Sequence, residues 1–175
     1  IRAQAGYTYP NIYGRAFKRT KDGQLLLDAN GLPQATAASV NLGECAPDFN
    51  MGFNLHARYK KVSLSATMDW QKGGCMYNGT LLTMNFFGAS KESLPYHEGT
   101  MVAEGINEAT GLKNTVEVSK QDYYQAYNDV TEAGIFDTSY LKLRDVTLSY
   151  QFPKFAGIDL SVYGFARNVL LWAKM

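Results

Sequence analysis

From Phe49 to Tyr59 apolar and polar side chains alternate without a fault: Phe49, Met51, Phe53, Leu55, Ala57 and Tyr59 against Asn50, Gly52, Asn54, His56 and Arg58. A period of two puts successive side chains on opposite faces of a strand, so this stretch predicts one strand with an apolar and a polar face. Lys60-Lys61 reads as a two-residue turn. The pattern then resumes, with Val62, Leu64, Ala66, Met68 and Trp70 against Ser63, Ser65, Thr67 and Asp69. Residues 49–70 are therefore expected to form a long antiparallel hairpin. A second hairpin is expected over 140–172. Val146, Leu148, Tyr150 and Phe152 oppose Asp145, Thr147, Ser149 and Gln151, the segment 153–157 turns the chain, and Ile158, Leu160 and Val162 alternate with Asp159 and Ser161.

These strands exceed the ~5–6 residues usual in soluble sheets and match the ~9–11 that a tilted strand needs to cross a bilayer. Tyr59 and Tyr150 lie near the turns, with Phe49 and Trp70 at the far ends, where aromatic girdles sit in membrane barrels. The fold class expected is all-β: a fragment of an antiparallel transmembrane β-barrel. Phe49, Phe53, Leu64 and Leu148 would form its lipid-facing stripe. Asn50, Asn54, His56, Arg58 and Asp69 project the other way and are the candidate lumen-facing residues, for packing against a plug or for polar contact with substrate.

Between the hairpins, residues 71–139 lose the alternation and are rich in Gly, Asn, Thr and Tyr, far longer than an ordinary loop. A long loop opposite a tight turn is the asymmetry of outer-membrane barrels, whose long loops are extracellular. Inside it, Ser119-Lys120-Gln121-Asp122 predicts a capped short helix through about Asn128. Upstream, residues 14–48 read as a loop with a small hairpin: a strand from Tyr13 to Thr20, a turn at Lys21-Asp22-Gly23, a return over Gln24 to Asp28, and a second turn at Asn30-Gly31.

The chain is 46% hydrophobic and only 19% charged, a balance that suits a sheet with one apolar face. Its formal net charge of +1 gives no basic face for nucleic acid, which is excluded as a partner. No apolar run approaches the ~20 residues of a membrane helix. The segment Ile1-Arg2-Ala3-Gln4 has no signal-peptide core, so a targeting signal is expected upstream.

Catalytic and metal chemistry are not predicted. His56 and His97 lack the spacing of a triad, and no HExxH or CxxC accompanies them. Asp28, Asn30 and Gly31 lack the other ligands of a calcium loop. Asn78-Gly79-Thr80 fits the glycosylation pattern but reads as a plain turn. No cofactor is expected.

The block Ser139-Tyr140-Leu141-Lys142-Leu143-Arg144-Asp145-Val146-Thr147-Leu148-Ser149-Tyr150-Gln151-Phe152-Pro153 resembles the "SYLRLKNVTLSYTLP" block near the C-terminus of the SusC/RagA family. Val162-Tyr163 with Arg167-Asn168-Val169-Leu170-Leu171-Trp172 is similar to that family's "RVYVSGQNLFTW" segment. Asp22-Gly23-Gln24, Asn30-Gly31-Leu32-Pro33, Leu42-Gly43, Pro47-Asp48-Phe49 and Gly52 follow its upstream order, and Gly73-Gly74, Tyr77-Asn78 and the region from Asn114-Thr115 to Tyr123-Tyr124 are similar as well. Departures are Arg167 in place of Gln, Val169 in place of Leu, and the interruption Glu44-Cys45-Ala46.

The resemblance implies the C-terminal part of a 22-stranded, TonB-dependent barrel. The plug, the TonB-contacting segment and the closing strands would lie outside this chain. It implies import of oligosaccharides or peptides across the outer membrane of Bacteroidota-type bacteria, with a SusD-like surface lipoprotein as lid, TonB as energy source and lipid around the barrel. The alternative is a secreted or surface β-sandwich binding module or adhesin, with the same apolar residues in a soluble core.

Export would permit a disulfide. In a hairpin that pairs Tyr59 with Val62, Cys45 and Cys75 fall one residue from direct opposition. A bulge near Pro47 or Gly73-Gly74 would correct the parity and allow a Cys45–Cys75 bridge.

Overall fold

The computed structural model describes residues 1–3, 5–154 and 156–174. In chain order the strands are β1 (Asn11–Gly14), β2 (Leu26–Leu27), β3 (Val40–Glu44), β4 (Phe49–Tyr59), β5 (Val62–Lys72), β6 (Cys75–Tyr77), β7 (Thr100–Val102), β8 (Ile106–Asn107), β9 (Glu117–Ser119), β10 (Ile135–Asp137), β11 (Tyr140–Gln151) and β12 (Ser161–Ala173). The helices are α1 (Gly79–Phe86) and α2 (Lys120–Asn128), and 3-10 turns cover Lys91–Tyr96 and Thr131–Gly134. The chain divides into a sheet unit, Ala46–Cys75 with Asp137–Met175, and a loop unit, Ile1–Cys45 with Met76–Phe136. No helix among the described residues is long and apolar enough to cross a membrane.

The sheet unit is a single antiparallel layer in the order β12-β11-β5-β4, with strands of 13, 12, 11 and 11 residues. Alternation sets its register. β4 and β5 pair without a break from Tyr59↔Val62 to Phe49↔Lys72, closed by a tight turn in which Lys60 takes φ +54°. Directly opposed residues share a face. Phe53, Met68, Leu143 and Leu170 therefore form one apolar row, and Ala57, Leu64, Leu148 and Gly164 another.

One irregularity interrupts β11. Its apolar positions run odd through Leu141 and Leu143, then even from Val146 and Leu148, a change of parity that would turn half the strand over. Register shifts between Leu143 and Asp145 against both neighbours, leaving Arg144 as an extra residue. Against Arg144, β12 spends two residues, and Asn168 takes φ +52° there. These bulges keep both halves of the apolar face on the same side. In the turn between β11 and β12, residue 155 lies outside the described residues.

The excursion from β5 leaves and returns between hydrogen-bonded neighbours, and its two ends are tied together. Gln71 Nε2 donates to the carbonyl and the hydroxyl of Thr138 at 3.1 Å each, and Thr138 Oγ1 donates to the Gly73 carbonyl at 3.1 Å. The Gly73 amide donates to Ser139 Oγ at 2.9 Å.

The loop unit is a small folded body. Its core gathers Leu27, Ala103, Val118 and Tyr123, flanked by Leu25, Leu32, Met101, Tyr124 and Tyr127. Regular pairing is sparse: β2 meets β8 in parallel, β1 meets β3 and β7 meets β9 antiparallel. Asparagine side chains supply partners where the backbone lacks them. Asn114 Nδ2 donates to the Ala103 carbonyl at 3.1 Å while its Oδ1 accepts from the Val116 amide at 3.1 Å. Ion pairs join the chain's early part to its later part: Arg19 to Glu132 at 2.7 Å and Arg15 to Asp129 at 3.0 Å. Glu132 also accepts from the Phe17 amide at 2.7 Å.

The predicted helix at Ser119 is α2, capped by the Ser119 hydroxyl, which accepts from the Asp122 amide at 3.4 Å. The plain turn expected at Asn78 is instead the start of α1. Asn78 Oδ1 accepts from the Leu81 amide at 3.0 Å and so satisfies one of the donors left over at a helix N-terminus. Asp28, weighed above as a calcium ligand, closes a turn by accepting from the Asn30 and Leu32 amides at 2.8 and 2.9 Å.

Candidate functional site

The two faces of the sheet differ in chemistry. On the apolar face Met51, Phe53, Leu55, Leu148 and Val162 are 46–58% exposed, since no second layer covers them within the sheet unit. Aromatic contacts sit at both ends of the strands: Phe49 meets the Trp70 ring edge-on at 4.9 Å, and Tyr150 meets Phe152 at 4.8 Å.

The structure brings all five predicted polar residues onto the opposite face. Asn50, Asn54, His56 and Arg58 stand opposite Gln71, Thr67, Ser65 and Ser63, and Asp69 stands opposite Gly52. Two of the five have side-chain partners: Arg58 Nη2 donates to Gln151 Oε1 at 3.2 Å, and Asp69 pairs with Arg144. Charge on this face is arranged in opposed pairs, which stabilises a sheet. Lys142 stands opposite Asp69 and Asp145 opposite Arg167. Arg58, Lys142, Arg144 and Arg167 against Asp69 and Asp145 leave the face basic.

Sequence reasoning missed Arg144, because its side chain reaches Asp69 only through the bulge. It also missed Tyr163, Phe165 and Arg167, which share the polar face with Ser149, Thr147 and Asp145. Tyr163 and Phe165 are 66% and 63% exposed, and the Arg167 guanidinium lies 5.6 Å from the Phe165 ring centre. The strand gives no clean signal for them, because apolar residues stand at odd positions (Tyr163, Phe165, Val169, Leu171) as well as at even ones (Val162, Leu170, Trp172).

No disulfide joins Cys45 and Cys75 in this structure, and both are half-buried. The β4–β5 ladder contains no bulge that could correct their parity. Beyond it the chain turns to other partners: the Cys45 amide donates to the Pro10 carbonyl at 2.9 Å, and Cys75 opens β6, which pairs with β10.

Titration in the loop unit is dominated by tyrosines. Burial, then the hydrogen bond to Tyr96, pushes the Tyr124 hydroxyl well above its ordinary value, and burial also raises Tyr123 and Tyr127. Among the described residues no group of His, Cys, Asp and Glu is placed to hold a metal ion.

No family model matches the chain. It is 26% identical over 160 residues to the TonB-dependent receptor P3 of Formosa agariphila, a match covering 85% of this chain and 15% of that protein. Its fold is similar to a chain of the RagAB peptide importer in the closed-closed state, with a TM-score of 0.53, 19% identity, and coverage of 93% of this chain and 19% of the other. The chain thus spans under a fifth of the length of either protein. The first is by name a receptor and the second an importer. The first likeness is one of sequence to a TonB-dependent receptor, and the second is one of fold to part of a peptide importer.

Proposed function

We propose that this chain is a stretch of barrel wall, with one extracellular excursion, from a SusC-like, TonB-dependent outer-membrane transporter that imports oligosaccharides or peptides. The observation that carries this reading is the sheet: four adjacent strands of 11–13 residues with an apolar face that nothing in its unit covers. Hydrocarbon would cover that face, and aromatic residues at both strand ends suit the two interfaces. The basic polar face would then meet the plug or solute within a barrel of 22 strands, most of which lie outside this chain. An open sheet has unpaired edges, and only closure removes them in a membrane. A SusD-like lipoprotein and TonB are the partners this reading implies, the latter through the plug end of the protein.

Extraction of the native protein containing this segment tests the proposal. The expected species enters solution only with detergent, migrates differently when heated, is several times larger than this chain, and carries a surface lipoprotein. Deleting its gene is expected to abolish growth on one nutrient. A species of this chain's size, soluble in plain buffer, would support the β-sandwich module instead and overturn the barrel.

A further inference from the structure

The loop unit contains a pocket of about 180 Å³ where the end of α1, the turn Lys91–Tyr96 and the first turns of α2 meet. Tyr96 and Tyr124 form its aromatic wall, ring on ring, with centroids 3.4 Å apart and planes within 20°. Phe87 stands at the rim, 74% exposed. Asn85, Ser93, His97, Gln121 and Gln125 supply the polar lining. His97 Nε2 lies 3.0 Å from the Gly88 carbonyl. Since a carbonyl only accepts, Nε2 donates to it, and Nδ1 is the ring nitrogen left for an outside partner. The side-chain amides of Gln121 and Gln125 have no hydrogen-bond partner among the described residues.

No Asp, Glu, Lys or Arg lines the pocket. A charged ligand group placed there would lose water without gaining a counter-charge, which disfavours anionic sugars and peptide termini. A neutral ring bearing hydroxyls fits on both counts: its C–H face packs on tyrosine, and its hydroxyls exchange hydrogen bonds with planar amides and an imidazole. The volume is below the ~300–1,000 Å³ of a pocket for a drug-sized ligand, so it suits one ring of a longer chain.

We propose that this pocket binds one sugar residue of a neutral oligosaccharide, making it a capture site on the excursion of the transporter. The inference rests on the transporter reading for its location and chooses glycan over peptide from the chemistry of the lining.

The test uses the full-length native protein, purified in detergent, on an array of neutral and charged glycans and on a random hexapeptide library. A neutral glycan is expected to bind. Tyr96→Ala and Gln125→Ala are each expected to weaken it at least about fivefold, in line with the loss of a ring contact or a hydrogen bond. Tyr96→Phe, which keeps the ring, is expected to stay within about threefold. Gln125→Ala guards against misfolding, because it removes no ring from the wall. The proposal is overturned if no neutral glycan binds, if only charged glycans or peptides bind, or if binding survives Tyr96→Ala and Gln125→Ala together. Growth separates the two readings: normal nutrient uptake by these variants beside a growth defect on gene deletion would sink the pocket and leave the transporter standing. No growth defect and no outer-membrane location would sink both.

Discussion

Replacing Phe53 with arginine tests the proposal that the apolar face of the sheet meets hydrocarbon, and the magnitudes below are those the proposal requires. Phe53 stands opposite Met68, in a row continued by Leu143 and Leu170. With a rise of about 3.3 Å per residue and a tilt of about 40°, the 11 residues of β4 cover about 25 Å, the height of a barrel's apolar band. On that geometry Phe53 lies about 10 Å from the Phe49 end and about 15 Å from the Tyr59 end, close to the midplane. Arginine there costs about 2–4 kcal/mol, a factor of roughly 30 to 700 in the ratio of folded to unfolded barrel. At Tyr59, at the end of the strand, the same residue reaches the interface and costs about 0–1 kcal/mol. Asn54→Arg, one residue along and on the polar face opposite Thr67, has no hydrocarbon to enter. Urea titration of the full-length protein in lipid vesicles, read by the gel shift between folded and heat-unfolded forms, ranks the three. The expected order of loss is Phe53→Arg far above Tyr59→Arg and Asn54→Arg. Equal losses at 53 and 54, or a larger loss at 54, would refute the assignment of faces.

Three further outcomes follow from local geometry. Gly73→Ala is expected to destabilise by more than about 1–2 kcal/mol, because Gly73 has φ +77° and an added Cβ would sit 2.6 Å from Asp48 Oδ2; the same urea titration reads it. Asn78→Ala removes the cap of α1 and is expected to cost about 1 kcal/mol, seen as faster hydrogen exchange at Leu81 and Leu82 with the sheet unchanged. The Ser139 hydroxyl and amide, at 2.5 and 2.8 Å, and then Lys174 hold the Asp137 carboxyl below its usual range. A lowered folded value means that the unfolded chain binds the proton first. The contribution is therefore present above the ordinary carboxylate value of about 3.9 and is lost as pH falls through the folded value, so Asp137→Asn is expected to flatten the acid limb of a pH–unfolding curve.

The four-stranded sheet was legible in the sequence because its physics is periodic. Each alternating pair from Phe49 to Trp70 states a face, and a two-residue turn then leaves one register. The break in β11 was legible too, in the step from Leu143 to Val146, but only when parity is followed through Arg144. Cys45 and Cys75 show the limit of that arithmetic: register propagates only while two strands remain paired, and these two part company after Phe49↔Lys72. The loop unit resisted for a different reason. Leu27, Ala103, Val118 and Tyr123 each come from a separate short segment, so no periodicity announces their common core. The start of α1 rests on a single Asn78 side chain, which in sequence looks the same as a turn. The pocket residues were likewise invisible, since Tyr96 and Tyr124 meet only after three segments have folded against each other.

The clasp at Gln71, Gly73, Thr138 and Ser139 has an evolutionary reading. Because β5 and β11 are neighbours held together at their own ends, residues 73–139 amount to one oversized hairpin connection. Such an insert behaves as a cartridge: it can be exchanged between paralogues, or grafted by an engineer, while every rung of the four-stranded sheet keeps its partner.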